Sequence, residues 1–286
     1  MRRCEAMAAA KALEEEKTHG AIIGVGIAIL LMLTIAAVIL GATGYTPSEK
    51  IRPLAQFYLY YAMNIFKKEL WAATPEAVNS IVWDYRGYDT LFETSVFFLA
   101  VIGAVAVLRL PGVKDVSTKG IFSGRGLSLI VKVVTKFIVA FILIVAISIA
   151  IHGNLTPGGG FQAGAAVSIA TLVALAAFSR IFLEERHVTT KLMLPIRVIG
   201  VVGIGLVALV PAIIALTGIF AFAMQNQPKV WAPNFGFPPG FGDFWFSGNQ
   251  FYYNFLEFLA VGAGFTVIYL MYSIPELIYK EVLKKK

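Results

Sequence analysis

The sequence predicts an all-α, polytopic integral membrane protein with about six transmembrane helices. Three observations predict it. Six apolar stretches each approach or exceed the ~20 residues that a helix needs to cross a bilayer. Only 14% of residues are charged while 58% are hydrophobic, against ~25% charged in ordinary soluble domains, and the mean hydropathy is +0.77. Lys and Arg stand at the ends of the apolar stretches, where they report topology. A chain so poor in polar residues cannot cover a soluble core of 286 residues. The net charge of +7 would fit nucleic acid in a soluble protein. Here no basic patch is interleaved with aromatics, so nucleic acid is excluded as a partner and the bilayer takes its place.

The first stretch, residues 21–43, reads AIIGVGIAILLMLTIAAVILGAT. The others cover about 90–110, 127–151, 161–183, 198–224 and 251–272. Residues 1–20 are charged and Ala-rich and read as a polar tail. The apolar run behind them is too long for a signal-peptide core and lacks a clear cleavage site, so it reads as a retained helix. Cys4, in that tail, is the single cysteine. It leaves no disulfide framework and no Cys-rich metal or iron–sulfur site.

Orientation follows from the loops. With the N-terminus in the cytoplasm, the inner segments carry Lys114, Lys119 and Arg125, then Arg186 and Lys191, then Lys280, Lys284, Lys285 and Lys286. The outer connection 153–160 has no Lys or Arg, and the outer loop 225–250 has only Lys229. This asymmetry places both termini in the cytoplasm of a cell-membrane protein. The first outer loop, 44–88, holds Lys50, Arg52, Lys67, Lys68 and Arg86; being long, it obeys the rule less strictly. Within it, residues 51–70 (IRPLAQFYLYYAMNIFKKEL) predict an interfacial helix. Residues 231–246 (WAPNFGFPPGFGDFWF) hold too much Pro and Gly for a regular helix, and their aromatics suit the interface or a partner subunit. No inverted repeat of the kind that marks many stand-alone transporters is present.

The most distinctive stretch is 152–164, HGNLTPGGGFQAG. His152 closes the third apolar stretch and Phe161 opens the fourth. Pro157 and three glycines form a tight turn between them, and Gly160 and Gly164 have the spacing that lets helix backbones approach. On composition alone this is a helical hairpin turn with close packing. No strand precedes it and no βαβ unit follows, so it is not a dinucleotide loop.

Ionisable residues inside apolar helices are costly and mark function by default. Asp89 and Glu93 share one face at the outer end of the second helix; the plainer reading is a Thr90–Glu93 capping box, with Asp89 favoured by the positive helix start. Glu257 lies about two turns inside the sixth helix, where no cap accounts for it. His152, near the outer end of the third, is either a packed, hydrogen-bonded residue or a group that titrates near neutrality. Lys132 and Lys136 lie on the inner half of the third helix. Lys132 snorkels, while the deeper Lys136 either snorkels too or balances a carboxylate on a neighbouring helix or subunit. Asp89, Glu93, His152 and Glu257 all fall in the outer half of the membrane. Oxygen ligands suit Na⁺, and a carboxylate with His suits proton transfer; the residues alone do not choose.

HGNLTPGGGFQAG resembles the signature of the MrpB (MnhB) subunit family of multisubunit Na⁺/H⁺ antiporters. Members carry His-Gly, a short spacer, then Pro-Gly-Gly-Gly-Phe-Gln and small residues between two membrane helices. The corresponding residues here are His152, Gly153, Thr156, Pro157, Gly158, Gly159, Gly160, Phe161, Gln162 and Gly164, and the resemblance runs from about residue 127 to the C-terminus. Residues 78–93, VNSIVWDYRGYDTLFE, are similar to the C-terminal end of the large MrpA subunit, an MbhE-like segment. The matching positions are Asn79, Ile81, Val82, Asp84, Tyr85, Arg86, Gly87, Tyr88, Asp89, Thr90 and Glu93, with Phe92 where that family commonly has Gly. The two resemblances imply an MrpA tail fused to MrpB without the antiporter-like core, as in archaeal membrane-bound hydrogenase and sulfane-reductase-type respiratory complexes.

The expected organisation is a tail (1–20), an MrpA-tail-like two-helix unit with a long outer loop (21–110), a cytoplasmic linker (111–126) and an MrpB-like four-helix unit (127–286). The expected function is a non-catalytic subunit of an Mrp-type cation/proton module in a respiratory complex. Asp89, Glu93, Glu257, His152 and Lys136 are the ion-path candidates, Na⁺ and H⁺ the transported ions, and other Mrp-like membrane subunits the partners. The chain itself shows no nucleophile–base pair, metal cluster or cofactor loop. A purely structural scaffold and an independent secondary transporter are the competing readings; Gln at the carboxylates separates the first from the ion path, and transport by the chain alone addresses the second.

Overall fold

The computed structural model describes residues 2–40, 51–64, 66, 69–108 and 126–274, with side chains from residue 19 onward. Lys50, Lys67, Lys68, Lys114, Lys119, Arg125 and the Lys280–Lys286 cluster, on which much of the orientation rests, lie outside the described residues. Six helices are long and apolar enough to cross a membrane: His19–Ile39, Gly87–Leu108, Leu129–His152, Gly160–Phe178, Thr190–Ala215 and Asn249–Tyr272. The chain divides into two compact units, one ending at Ala55 and the other beginning at Gln56.

The first unit is dominated by α1 (Arg2–Ile39). The predicted polar tail is part of this helix, because Ala, Glu, Lys and Leu dominate residues 6–17 and are strong helix formers. Its apolar half is exposed all round, Leu30 and Leu33 included. A helix apolar on every face belongs in lipid or against other membrane helices.

The short α2 (Pro53–Ala62) starts with proline at the first helical position, where its missing N–H costs nothing. It is shorter than the predicted 51–70, since the Ala62 carbonyl accepts from the Thr74 N–H at 3.1 Å instead of continuing the helix. Next come α3 (Ala77–Ser80), capped by the Glu76 carboxylate on the Asn79 N–H, and a π-helical turn over Ile81–Tyr85. The bundle follows: α4 (Gly87–Leu108), α5 (Leu129–His152), α6 (Gly160–Phe178), α7 (Arg180–Glu185), α8 (Thr190–Ala215) and α9 (Asn249–Tyr272). A two-residue hairpin, β1 (Gly240–Phe241) with β2 (Phe244–Trp245), interrupts the aromatic segment between α8 and α9.

The centre of the bundle is α9, which packs on α8, α6, α4 and α5. Small residues make this possible. A Cβ on Gly164 of α6 would lie 2.7 Å from Val261 Cβ, and one on Gly200 of α8 would lie 2.5 Å from the Leu256 carbonyl oxygen. Such contacts let membrane helices approach closely and gain dispersion energy where lipid supplies no hydrophobic drive. The starts of α4, α6 and α9 gather with the long segments 69–86 and 216–248 at one end of the bundle, the loop-rich end.

Two predicted spans differ from the structure. The fourth is expected to reach 183, but α6 stops at Phe178, and Ser179 takes φ 109°. The Ala177 carbonyl is taken by the Leu127 N–H at 2.9 Å. Arg180 turns to the end of α9, donating to the Leu270 carbonyl at 2.7 Å while pairing with Glu184 at 2.7 Å. The fifth span is expected over 198–224, yet α8 covers Thr190–Ala215. Thr189 caps its start by accepting from the Leu192 N–H. At the far end Gly218, with φ 92°, reverses the chain, so the Met224 N–H donates to the Ala208 carbonyl at 2.9 Å. The apolar residues 216–224 fold back over the helix instead of extending it.

Candidate functional site

The turn 152–160 is held by its backbone. The His152 carbonyl accepts from the N–H groups of Leu155 and Thr156, both at 2.8 Å, and from the Thr156 hydroxyl at 3.2 Å. Asn154 is buried and donates to the Ser247 hydroxyl at 3.0 Å, tying the turn to the loop before α9. The glycines then bring the start of α6 onto α9: a Cβ on Gly160 would lie 2.3 Å from the Asn254 carbonyl oxygen and 2.7 Å from Glu257 Cβ.

That approach places Glu257 at the N-terminus of α6. Its Oε2 accepts from the Phe161 N–H at 3.1 Å, so the carboxylate caps a neighbouring helix and meets the positive end of its dipole. Glu257 is 6% exposed and stands eight residues into α9, about 12 Å from its start at 1.5 Å per residue. It borders a cavity of about 170 Å³ shared with Asn79, Trp83, Thr90, Glu93, Gly159 and Asn254 among others. Gln250, Asn254 and Glu257 form one polar stripe on α9. The Gln250 Oε1 accepts from Thr74 at 2.7 Å and Asn79 at 2.6 Å. Asn254 donates to Asn79 at 2.9 Å and accepts from the Trp83 indole at 3.1 Å. Trp83 stacks on Tyr253 with centroids 4.6 Å apart. Satisfied buried amides of this kind rigidify a core, and they bolt the segment before α4 to the start of α9.

The predicted candidates are not all gathered there. Glu93, roughly 9 Å into α4, borders the Glu257 cavity but its side chain reaches the bundle exterior. Thr94 beside it is buried and faces the Glu257 carboxyl. Asp89 lies at the rim, exposed and paired with Arg86 at 2.5 Å. The Thr90–Glu93 capping box does not form, because α4 already begins at Gly87 and the Thr90 hydroxyl donates to the Val82 carbonyl at 2.7 Å. The ring of His152 is exposed, 3.3 Å from the Ser148 carbonyl. Lys136 is exposed on α5, far along the bundle from the cavity. Of the turn residues, Gly158, Gly159, Phe161 and Gln162 line the cavity, while Thr156 and Pro157 are exposed.

A buried ion pair and a buried arginine are not among the sequence-predicted candidates. Asp84 and Lys229 pair at 2.6 Å with side-chain exposures of 2% and 18%, and Lys229 also donates to the Trp71 carbonyl at 3.0 Å. Burial pushes the Asp84 carboxyl above the ordinary range, and the Lys229 ammonium opposes that push. The pair borders a cavity of about 390 Å³ at the loop-rich end, together with Arg86, Asp89 and Gln225. Lys229→Met should therefore destabilise the chain by about 3 kcal/mol, since it strands a buried carboxylate. The sign with pH follows from the raised pKa: above it the stranded group is charged and the full deficit is present, and below it the group is neutral. Unfolding in detergent should show a larger deficit at pH 8 than at pH 5, and a deficit independent of pH would contradict the pairing. The arginine is Arg197. It stands just before the predicted fifth stretch; the early start of α8 puts it inside a span, and the capping Thr189 is the signal for that start.

Residues 130–273 match the family described as a domain related to the MnhB subunit of Na⁺/H⁺ antiporter. Two solved structures share the fold. One chain in the structure of the membrane-bound sulfane sulfur reductase, an archaeal respiratory membrane complex, is 24% identical with a TM-score of 0.57, over 87% of this chain and 98% of that one. One chain of the Mrp complex from Dietzia sp. DQ12-45-1b is 14% identical with a TM-score of 0.53, over 88% of this chain and 26% of that one. No curated protein matches the sequence. The family match takes in α6, α8, α9, the His152–Gly164 turn and Glu257, and spans just over half of the 286 residues; the chain belongs to the family of MnhB-related domains.

Proposed function

We propose that the chain is a non-catalytic membrane subunit of an Mrp-type cation/proton translocation module within a membrane-bound respiratory complex. In this reading Glu257 and Glu93 form part of an ion path that opens from the loop-rich end. The observation that carries it is the cavity bordered by buried Glu257, about 12 Å inside α9 by helical rise, and at its edge by Glu93; a carboxylate this deep is expensive and is kept for function or pairing. Na⁺ and H⁺ are the proposed ions. Asp89 and His152 stand at the rim as entry groups, and Lys136 faces a partner subunit. Residues 78–93 act as an MrpA-tail-like segment that holds the MnhB-like helices, a role supported by the Asn79, Trp83 and Gln250 hydrogen bonds. The two-helix and four-helix division of the chain is part of the same proposal. The test is the company the chain keeps. Purified through a tag in mild detergent, it should bring other Mrp-like membrane subunits with it; a chain that purifies alone and transports ions alone in liposomes would be an independent transporter.

A scaffold role is the second reading, and one observation favours it: the Glu257 carboxylate caps α6. The two are separated by variants that keep the hydrogen bond and remove the charge.

Both termini are proposed to be cytoplasmic, which sets the loop-rich end outside. A cysteine placed near Lys286 should resist an impermeant thiol reagent added to intact cells and react after permeabilisation. Ready labelling from outside inverts the topology.

A further inference from the structure

Arg197 is the most deeply buried cation among the described residues, at 1% exposure. One terminal nitrogen donates to the Phe98 carbonyl, and the guanidinium lies over the Phe98 ring, 4.2 Å from its centroid. Its Nε has no hydrogen-bond partner, and no carboxylate among the described residues pairs with it. Phe98 stands ten residues from the last residue of α4, roughly 15 Å along the helix. The charge is therefore held near the middle of an apolar layer that is about 30 Å thick. A structural anchor needs no charge here, because a neutral amide donates to a carbonyl equally well. An unneutralised guanidinium this deep is costly and marks function by default.

Its position relative to the carboxylates gives it one. Thr94, which faces the Glu257 carboxyl, and Phe98, which holds Arg197, are one turn apart on α4. On α8, Gly200 lies against the Leu256 carbonyl and Ala260, and Arg197 sits one turn further from the loop-rich end. The cavity with Glu93 and Glu257 thus opens at the loop-rich end, and the next layer of the same α4–α8–α9 core holds a fixed positive charge. A buried arginine in a permeation route excludes cations and protons by repulsion.

We propose that Arg197 is a cation barrier that makes the Glu257 cavity a half-path: monovalent cations enter from the loop-rich end, cannot continue through this bundle, and leave sideways past exposed Glu93 to a neighbouring subunit. This rests on the reading that cations enter the cavity. Arg197 is a positioning residue here, since it binds no ion and sets where ions go.

The test is passive leak. The complex purified through this chain is reconstituted in liposomes with no driving reaction, and tracer Na⁺ efflux and proton leak are measured beside assembly on native gels. Arg197→Gln removes the charge and leaves a shorter, neutral amide donor on the same face of α8; it should raise leak at least tenfold with assembly intact. Arg197→Lys keeps the charge and should stay tight. Adding Glu257→Gln to Arg197→Gln should abolish the leak. A tight Arg197→Gln complex overturns the barrier. So does a complex that fails to assemble with Gln but assembles with Lys, which makes the charge a structural requirement. A leak that persists in the double variant refutes entry through Glu257 and with it the half-path. Driven transport by Glu257→Gln alone reports separately on the functional reading above.

Discussion

Gly160→Leu is expected to remove most of the intact complex from native gels, at least a tenfold loss. The cause is the backbone crossing of α6 and α9. Even a single Cβ at Gly160 would stand 2.3 Å from the Asn254 carbonyl oxygen, and Glu257 Cβ and Oε2 lie at 2.7 and 2.8 Å. The Asn254 carbonyl and Glu257 Cβ are fixed to the backbone of α9 and cannot swing away, and Oε2 could move only by giving up its bond to the Phe161 N–H. Overpacking a well-fitted core costs about 1–3 kcal/mol for ordinary insertions; here the backbones must separate, so the start of α6 loses both its contact with α9 and its cap from Glu257. Gly160→Ala should give an intermediate yield. Gly205→Leu is the control, because nothing lies within 4 Å of a Cβ at Gly205 in the same apolar environment. It should assemble normally. Normal assembly of Gly160→Leu with altered ion dependence would show that the turn serves the ion rather than the packing.

The six spans were legible because length and hydrophobicity alone define a membrane helix, with no need of periodicity. Their ends were less so. Residues 216–224 are as apolar as a span, and only Gly218 in a left-handed conformation, with Met224 folding onto Ala208 and Trp83, takes them out of it. Arg197, one residue before the predicted fifth stretch, illustrates the same difficulty from the polar side. An arginine beside an apolar run reads as a loop charge unless a cap such as Thr189 is given more weight than hydropathy. The break at Ser179 depends on Leu127 and Leu270, far off in sequence.

Within the candidate site, Glu257 stood out because a carboxylate inside an apolar run is expensive, but its partner did not: a cap donated to another helix leaves no local pattern. Gln250 and Asn254 stand seven and three residues before Glu257 on one face of α9, a spacing that is readable. Amides at the head of an apolar run nevertheless resemble the end of a loop. The Asp84–Lys229 pair joins residues 145 apart, so neither partner announces the other. The exposure of Lys136 and His152 has the opposite lesson. Position within a helix is legible from sequence, whereas the direction a side chain faces depends on which neighbours the helix finds.

Glu257→Gln is expected to lower driven cation transport by tenfold or more while the complex still assembles. Gln keeps the size of Glu, and its amide oxygen still accepts from the Phe161 N–H, so the cap on α6 survives. What disappears is the negative charge in the cavity. Glu93→Gln should act in the same direction with a smaller effect, since Glu93 lies at the cavity edge and reaches the exterior of the bundle. Gly205→Leu, which touches neither carboxylate, should transport normally. A scaffold role gives a different pattern, in which transport follows assembly in every variant. The direct measurement is the initial rate of tracer Na⁺ uptake, divided by the amount of assembled complex, in liposomes holding the purified complex under its driving reaction. The ion-path account predicts a wild-type amount of complex and a tenfold lower rate for Glu257→Gln; a wild-type rate per complex in both Glu257→Gln and Glu93→Gln would contradict it and leave the chain a structural subunit.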